Sequence, residues 1–372
     1  MDFSENESQR ELAALSRTIL ADRATPERLR DVEARGDRFD AGLWADLGRA
    51  GVLAAALPES LGGAGLGLLE QCSVLIEVGR AVAPVPYLAS AVLGAGALAR
   101  FGTPDQQRRW AEPAGRGDLV VTAALAEEDG DDPRVPAVRA DPAGAGWRLS
   151  GTKTAVPAGP RAGLLLVPAA TPGGTAVFLV TPADRGVTIE PQRMTDGDAA
   201  GRLELALADL PGDRLLGRAD EGQVTGWLVA RATVGLCAQQ LGVLERALEL
   251  TAAHAKSRTQ FGRPIGSFQA VAQRLADAYI DVEAVRLTMW QAAWRISAGL
   301  PGETEIATAK FWAADAGHRV AHTAVHVHGG VGIDISHPLH RYFTAAKRLE
   351  FALGGATTQL RRIGLALART SA

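Results

Sequence analysis

The sequence predicts a multidomain α+β protein: an N-terminal helical domain, a central antiparallel β-barrel domain and a C-terminal four-helix bundle. Three observations predict it. The chain has 372 residues, more than a single hydrophobic core ordinarily serves, so two or three domains are expected. Its texture changes twice, from helix-spaced apolar residues to short strand-like runs and back. Its last part carries long apolar stripes, which only helices packed face to face can bury. The boundaries that follow are 1–118, 119–216 and 217–372.

In the first region, Arg10 to Leu20 and Ala41 to Ala50 carry helix-spaced apolar residues. The glycines Gly62, Gly63, Gly65 and Gly67 break the pattern after Leu57-Pro58. An apolar helix from Leu68 to Ala81 follows, stopped by Pro84 and Pro86. In the middle region, Val120 to Ala126, Trp147 to Leu149, Leu164 to Val167, Ala176 to Val180 and Leu203 to Leu207 read as strands. Gly, Pro and Asp clusters part them at close spacing, the pattern of a small antiparallel barrel or sandwich. From Gly222 onward, Trp227, Ala230, Val234, Cys237, Leu241, Leu244 and Leu248 form one helical stripe. Phe268, Val271, Leu275, Ala278, Val282, Val285, Met289, Ala292 and Ile296 form a second, ended by Pro301-Gly302. A third helix runs from about Thr304 to Val327, and one or two more follow Pro338.

Composition excludes several classes of function. Apolar residues make up 47% of the chain, ample for packed cores and unlike a disordered protein. The net charge is −3 with acids and bases interspersed, so no basic face for nucleic acid is visible. No apolar run approaches the roughly 20 residues that span a bilayer, and the polar stretch from Met1 to Arg10 has no signal-peptide core. Cys72 and Cys237 are far apart among apolar residues and read as small buried hydrophobes. That usage fits a reducing cytoplasm.

Two segments carry chemistry. Arg258-Thr259-Gln260-Phe261-Gly262-Arg263-Pro264-Ile265-Gly266-Ser267-Phe268-Gln269 joins the first two long helices. Its bland reading is a helix connection with solvated arginines; its functional reading is a planar guanidinium offered to a phosphate beside open glycine backbone. His326-Val327-His328-Gly329-Gly330-Val331-Gly332 ends the third helix in a glycine turn. Such turns are ordinarily helix caps, but they also let a ligand approach the backbone.

With these segments the sequence resembles the acyl-CoA dehydrogenase family, in particular its actinobacterial branch. The family pattern RxQFGxPIxxFQ is matched by Arg258, Gln260, Phe261, Gly262, Pro264, Ile265, Phe268 and Gln269. QxxGGxG is matched at Gly329, Gly330 and Gly332, with His326 in place of glutamine. Leu57-Pro58-Glu59 with Gly62-Gly63, then Glu77-Val78-Gly79-Arg80, resembles the family's N-terminal signature. Trp147, Leu149, Gly151 and Lys153 match W-x-L-x-G-x-K in the β domain. The matches fall in family order along nearly the whole chain.

The resemblance implies an FAD cofactor and a role in lipid metabolism. The implied reaction is α,β-dehydrogenation of an acyl thioester, carried by CoA or by an acyl carrier protein: a carboxylate removes the α-proton and flavin N5 takes the β-hydrogen. It implies that Arg258, Gln260, Phe261, His326, Gly329 and Gly330 contact the tail of a neighbouring subunit's flavin, so the protein is a homo- or hetero-oligomer.

The sequence departs from the family at the base. The family's glutamate falls at Leu353 by direct count, or at Gly354 or Gly355 with a small shift. An alternative base position on the first bundle helix falls at Ala232, between Arg231 and Thr233. None is an acid, so no catalytic residue is assigned. The loop usually reading TEPxxGSD is Ala126-Glu127-Glu128-Asp129-Gly130-Asp131-Asp132-Pro133, and Ala155 and Pro157 stand where a Trp and a Thr usually meet the flavin ring. Three readings stay open: a subunit paired with a paralogue that carries the base, a stand-alone flavoenzyme recruiting Glu350 or Glu127 or running different chemistry, and a non-catalytic structural subunit. Five of the seven histidines, His322, His326, His328, His337 and His340, lie close together, and His322 and His326 are a helical turn apart. With no glutamate completing HExxH and no nearby cysteine, no metal is assigned.

Overall fold

A computed structural model describes residues 4–36, 38–128, 130, 132–218 and 222–370. The helices of the first region are α1 (Glu7–Arg23), α2 (Pro26–Ala34), α3 (Ala41–Arg49) and α4 (Leu68–Arg80). A π-type stretch, Leu88–Ala95, runs into α5 (Gly96–Phe101), and α6 (Pro104–Gln106) passes through a second, Gln107–Ala111, into α7 (Glu112–Arg116). Asn6 begins α1 with a reciprocal capping box to Gln9. Thr103 and Gln106 repeat that device at α6.

The strands are β1 (Val121–Ala123), β2 (Arg139–Ala143), β3 (Gly146–Pro157), β4 (Leu164–Thr171), β5 (Gly174–Val180), β6 (Val187–Arg193), β7 (Ala199–Pro211) and β8 (Leu215–Leu216). They form one sheet in the order β6-β7-β3-β2-β4-β5-β8, with β1 added on β4. This corrects the expected antiparallel barrel. Among the described residues the sheet is open, with β6 and β8 at its ends, and it is mixed, because β4 pairs in parallel with both β1 and β2. Alternation still sets the core: Leu149, Leu165, Val167, Phe178, Leu203 and Leu205 are buried on one face, with Trp147 packed edge-on against Phe178.

The C-terminal region holds α8 (Gln223–Ser257), a hairpin of β9 (Thr259–Gln260) and β10 (Arg263–Pro264), α9 (Gln269–Ser297), α10 (Glu303–His328), α11 (Leu339–Phe351) and α12 (Ala356–Thr370). The bundle expected as four helices therefore contains five in the described residues. By length and composition α8 could cross a membrane, but 78% of its most apolar stretch is buried within the protein, which makes it a core helix.

The chain divides into two compact units. One holds Met1–Arg28, Cys72–Ala83 and Val234–Ala372; the other holds Leu29–Gln71 and Pro84–Thr233. In the second unit, Leu43, Trp44, Leu47, Tyr87, Leu98 and Trp110 are buried among the helices, and the Trp44 indole N–H donates to the Gly117 carbonyl at 3.1 Å. In the first unit, α4 crosses α8 backbone to backbone. A methyl on Gly242 would overlap the Ile76 carbonyl, and one on Gly79 would overlap the Gln239 carbonyl. Beside the crossing, Arg80 pairs with Glu245 at 2.7 Å and Glu249 at 2.8 Å, and Tyr342 on α11 donates to the Arg80 carbonyl at 2.8 Å. The buried Gln240 amide donates to the carbonyls of Ala313 on α10 and Ala346 on α11.

Gly242→Ala tests the crossing. The added methyl meets backbone, which cannot swing aside, so the expected loss is at the upper end of overpacking costs, about 3 kcal/mol. Chemical denaturation of the two proteins measures it.

Candidate functional site

In the bundle unit, the two motif segments lie together. Arg258 leaves the end of α8, with its N–H donating to the His254 carbonyl at 2.8 Å. The hairpin turns on Phe261 and Gly262, both at positive φ (51° and 78°). That is the two-residue geometry that matches strand twist. Arg263 lies over the Phe268 ring at 4.1 Å and anchors the hairpin base. Arg258, Gln260 and Phe261 are exposed, the last at 93%. Among the described residues no carboxylate pairs with Arg258.

The second segment follows α10. Gly329 takes φ 64°, and neither it nor Gly330 would bring an added methyl within 4 Å of any other part of the chain. The face above these two glycines is open. His254, one turn before Arg258, stacks on His328, the residue before Gly329, with ring centroids 4.3 Å apart, and His337 packs on His328 at 5.2 Å. This stack docks the arginine hairpin against the glycine turn. His326 is exposed on α10 and lines a groove of about 750 Å³ with Arg274, Asp277, Asp281 and His322. His254 escapes sequence reasoning because it stands alone, far from the other histidines in the chain. Among the described residues, no three His, Cys, Asp or Glu side chains gather in a way that could hold a metal.

The turn at the expected base position has no acid. After α11, Leu353 and Gly354 both take positive φ (56° and 95°). The buried Gln359 amide donates to the carbonyls of Leu353 at 3.1 Å and Gly354 at 3.0 Å. Lys310, fully buried, donates to the carbonyls of Leu349 at 3.1 Å and Glu350 at 3.0 Å, capping α11 with a charge. Burial pushes the Lys310 ammonium down to about 8, and burial pushes the neighbouring Cys237 thiol up to about 12. Cys237 is therefore an unreactive thiol. The Glu350 carboxylate is clasped by Lys347 at 2.6 Å and His318 at 3.2 Å.

In the sheet unit, Glu127 is also consumed by structure. It meets the fully buried Lys153 at 2.6 Å and accepts from the backbone N–H groups of Ala137 at 2.6 Å and Val138 at 3.1 Å. Burial pushes its carboxyl upward, but these bonds prevail and hold it below the usual carboxylate range, so it stays an anion and not a proton acceptor. Ala155 takes positive φ (47°) at a register shift in β3, its N–H held by Gln192 at 2.8 Å. Ala232 is buried in α8. Asp129 and Asp131 of the acidic loop lie outside the described residues.

An unpaired guanidinium beside uncovered glycine backbone suits the diphosphate tail of a dinucleotide, so the residues present fit that part of an FAD site. The fold is that of an α+β protein whose bundle unit presents an open surface suited to an anion. The chain matches the family models "Acyl-CoA dehydrogenase, N-terminal domain" over residues 6–118 and "Acyl-CoA dehydrogenase, C-terminal domain" over residues 223–368. It is 52% identical to the acyl-CoA dehydrogenase FadE27 of Mycobacterium tuberculosis over the full length of both. Among solved structures it is similar to a chain of the ChsE4-ChsE5 complex from Mycobacterium tuberculosis, with 53% identity, a TM-score of 0.95 and 99% of each chain covered. A variant of the Tcur3481-Tcur3483 steroid ACAD matches at 42% identity and TM-score 0.93, covering 98% of this chain and 99% of that one. The chain belongs to the acyl-CoA dehydrogenase family, a family of FAD-dependent oxidoreductases.

Two buried pairs make predictions. Lys153→Met strands the Glu127 anion, and an unfolding free energy lower by about 3–5 kcal/mol is expected by denaturation. Lys310 and Cys237 give opposite pH slopes. Lys310 titrates near 8 folded and about 10.4 unfolded, so its contribution to stability rises across that window. Cys237 titrates near 12 folded and about 8.5 unfolded, so its contribution falls as pH rises from about 8.5 towards 12. In denaturation series from pH 8 to pH 10, Cys237→Ala is expected to gain stability with pH relative to the parent, and Lys310→Met to lose it.

Proposed function

We propose that this chain is the base-lacking subunit of a mixed-subunit acyl-CoA dehydrogenase, acting on a bulky acyl-CoA thioester in the cytoplasm. On this reading Arg258, Gln260, Phe261, His326, Gly329 and Gly330 grip the tail of a flavin whose ring end is served by a paralogous subunit. The observation that carries it is the turn after α11. Its carbonyls are held by Gln359 and Arg362 and the helix end before it by Lys310, yet no side chain from Ala352 to Gly355 is acidic. The two acids considered for recruitment, Glu350 and Glu127, are each committed to an ion pair within one unit.

FAD, when bound, supplies the two-electron chemistry by accepting hydride. The chain's own residues bind and orient. Arg258 offers a planar fork of donors to phosphate oxygens, and Gly329 and Gly330 let those oxygens approach main-chain N–H groups. The α-proton of a thioester is weakly acidic, and abstracting it needs a positioned base that this chain does not contribute. The exposed apolar side chains Phe261 and Val331 on the two motif segments, with Ile333 and Ile335 just after the second, support a subunit that covers them. The two-chain complexes among the similar structures support a partner of the same family, and the steroid ACAD supports a bulky acyl group. The free buried cysteines are consistent with a reducing compartment.

The test is to purify the chain alone and together with a co-expressed paralogue, then follow flavin bleaching by acyl-CoA substrates, steroid side-chain thioesters included. The chain alone is expected to be slower by about 10²–10⁴, the usual worth of a positioned base. Equal turnover with and without the second subunit overturns the proposal.

A further inference from the structure

We propose that the stacked His254, His328 and His337 make the anion grip beside Arg258 proton-coupled, so that a dinucleotide diphosphate binds there with uptake of protons and binds more tightly as the pH falls. This rests on reading Arg258 and the glycine turn as the cofactor-tail site.

The support is geometric. Three imidazoles from three elements, the last turn of α8, the end of α10 and the loop before α11, meet at 4.3 Å and 5.2 Å behind the two motif segments. The charged and titratable groups that face them are Arg258 just after α8, Asp334 from the loop and His340 from the first turn of α11. Asp334 is held below the usual carboxylate range, chiefly by the backbone N–H of Ser336, and stays ionised between pH 6 and pH 8. The histidines are the groups of this cluster left to respond.

Their hydrogen bonds say which can accept a proton. His328 Nδ1 lies 2.9 Å from the Ala324 carbonyl and so carries its hydrogen, leaving Nε2 to be protonated. His337 Nδ1 accepts from the Leu339 N–H at 3.3 Å. His254 makes no such commitment. Burial holds His254 and His328 below the ordinary imidazole value; for His254 the positive potential of His337 and Arg258 adds to it, and for His328 the Ala324 carbonyl partly opposes it. Both are therefore neutral at pH 7 before any anion arrives. A diphosphate at Arg258 reverses the local potential and raises both. A site whose proton affinity is higher when occupied binds more tightly as pH falls through the occupied-state values, and levels off below the free-state values.

FAD is a suitable probe because its diphosphate is a diester and does not titrate in this range. The experiment measures the FAD Kd of the full chain, with any subunit that co-purifies, by flavin fluorescence at pH 8 and pH 6. Calorimetry at pH 6.5, in two non-phosphate buffers of different ionisation heat, gives the protons taken up. Binding about tenfold tighter at pH 6 is expected, as when one imidazole holds its proton about tenfold more tightly in the occupied site, together with net proton uptake. His254→Phe with His328→Leu keeps the stack apolar and is expected to leave the pH 8 affinity within about twofold, because the imidazoles are neutral there, while losing the tightening. Should that variant not fold, uptake by the parent protein decides. FAD binding that is equal at both pH values without uptake overturns this proposal and leaves the tail-grip reading standing; FAD that binds at neither pH overturns both.

Discussion

The bundle unit depends on how closely α4 can lie on α8. Gly79 and Gly242 let the two backbones touch where any side chain would hold them apart. That closeness brings the end of α4 among the helices, so Arg80 meets Glu245 and Glu249 and its carbonyl meets Tyr342. Arg286 on α9 then reaches Glu245 at 2.7 Å, and Arg17 on α1 reaches Glu77 at 2.7 Å. These pairs are only partly open to solvent, and ion pairs that solvent reaches contribute modestly one by one. Their value here is registration: each fixes a helix already placed by the crossing.

The candidate site is uneven in a way that follows from what its residues are already doing. On the two motif segments, the Arg258 guanidinium and the glycine faces are left uncommitted among the described residues. In each unit taken by itself, the polar groups that the sequence offers for chemistry are spent on the fold. Glu127 answers a buried lysine and two backbone amides, Glu350 answers Lys347 and His318, and Lys310 and Gln359 hold main-chain carbonyls. A carboxylate bound by several donors is a good strut and a poor proton acceptor.

Much of this was legible in the sequence, for definable reasons. The long helices show because each buries a stripe over many turns, and the Phe261-Gly262 turn shows because its motif is local. Strand β6 was not legible: Pro191 reads against a strand, and it is tolerated only because β6 lies at the sheet's end. The open, mixed sheet was hidden because pairing between β1, β2 and β4 is set by distant segments whose patterns say nothing of direction. The π-type stretches at Leu88–Ala95 and Gln107–Ala111 sit inside ordinary helical periodicity. At the site, the motif residues were legible by type, but the stack that docks them was not, since His254 meets His328 only through the packing of α8 against α10.

The hairpin tip has a consequence for the life of the chain in a cell. A phenyl ring at the end of a stiff two-residue turn cannot fold back to shelter itself, so a newly made chain carries a sticky, fixed projection from the moment α8 and α9 are in place. Self-association through that ring grows steeply with concentration, whereas capture by a correct neighbour removes the hazard at once. If, as proposed, a second subunit covers that ring, balanced synthesis of the two would matter as much for keeping this protein in solution as for any chemistry it supports.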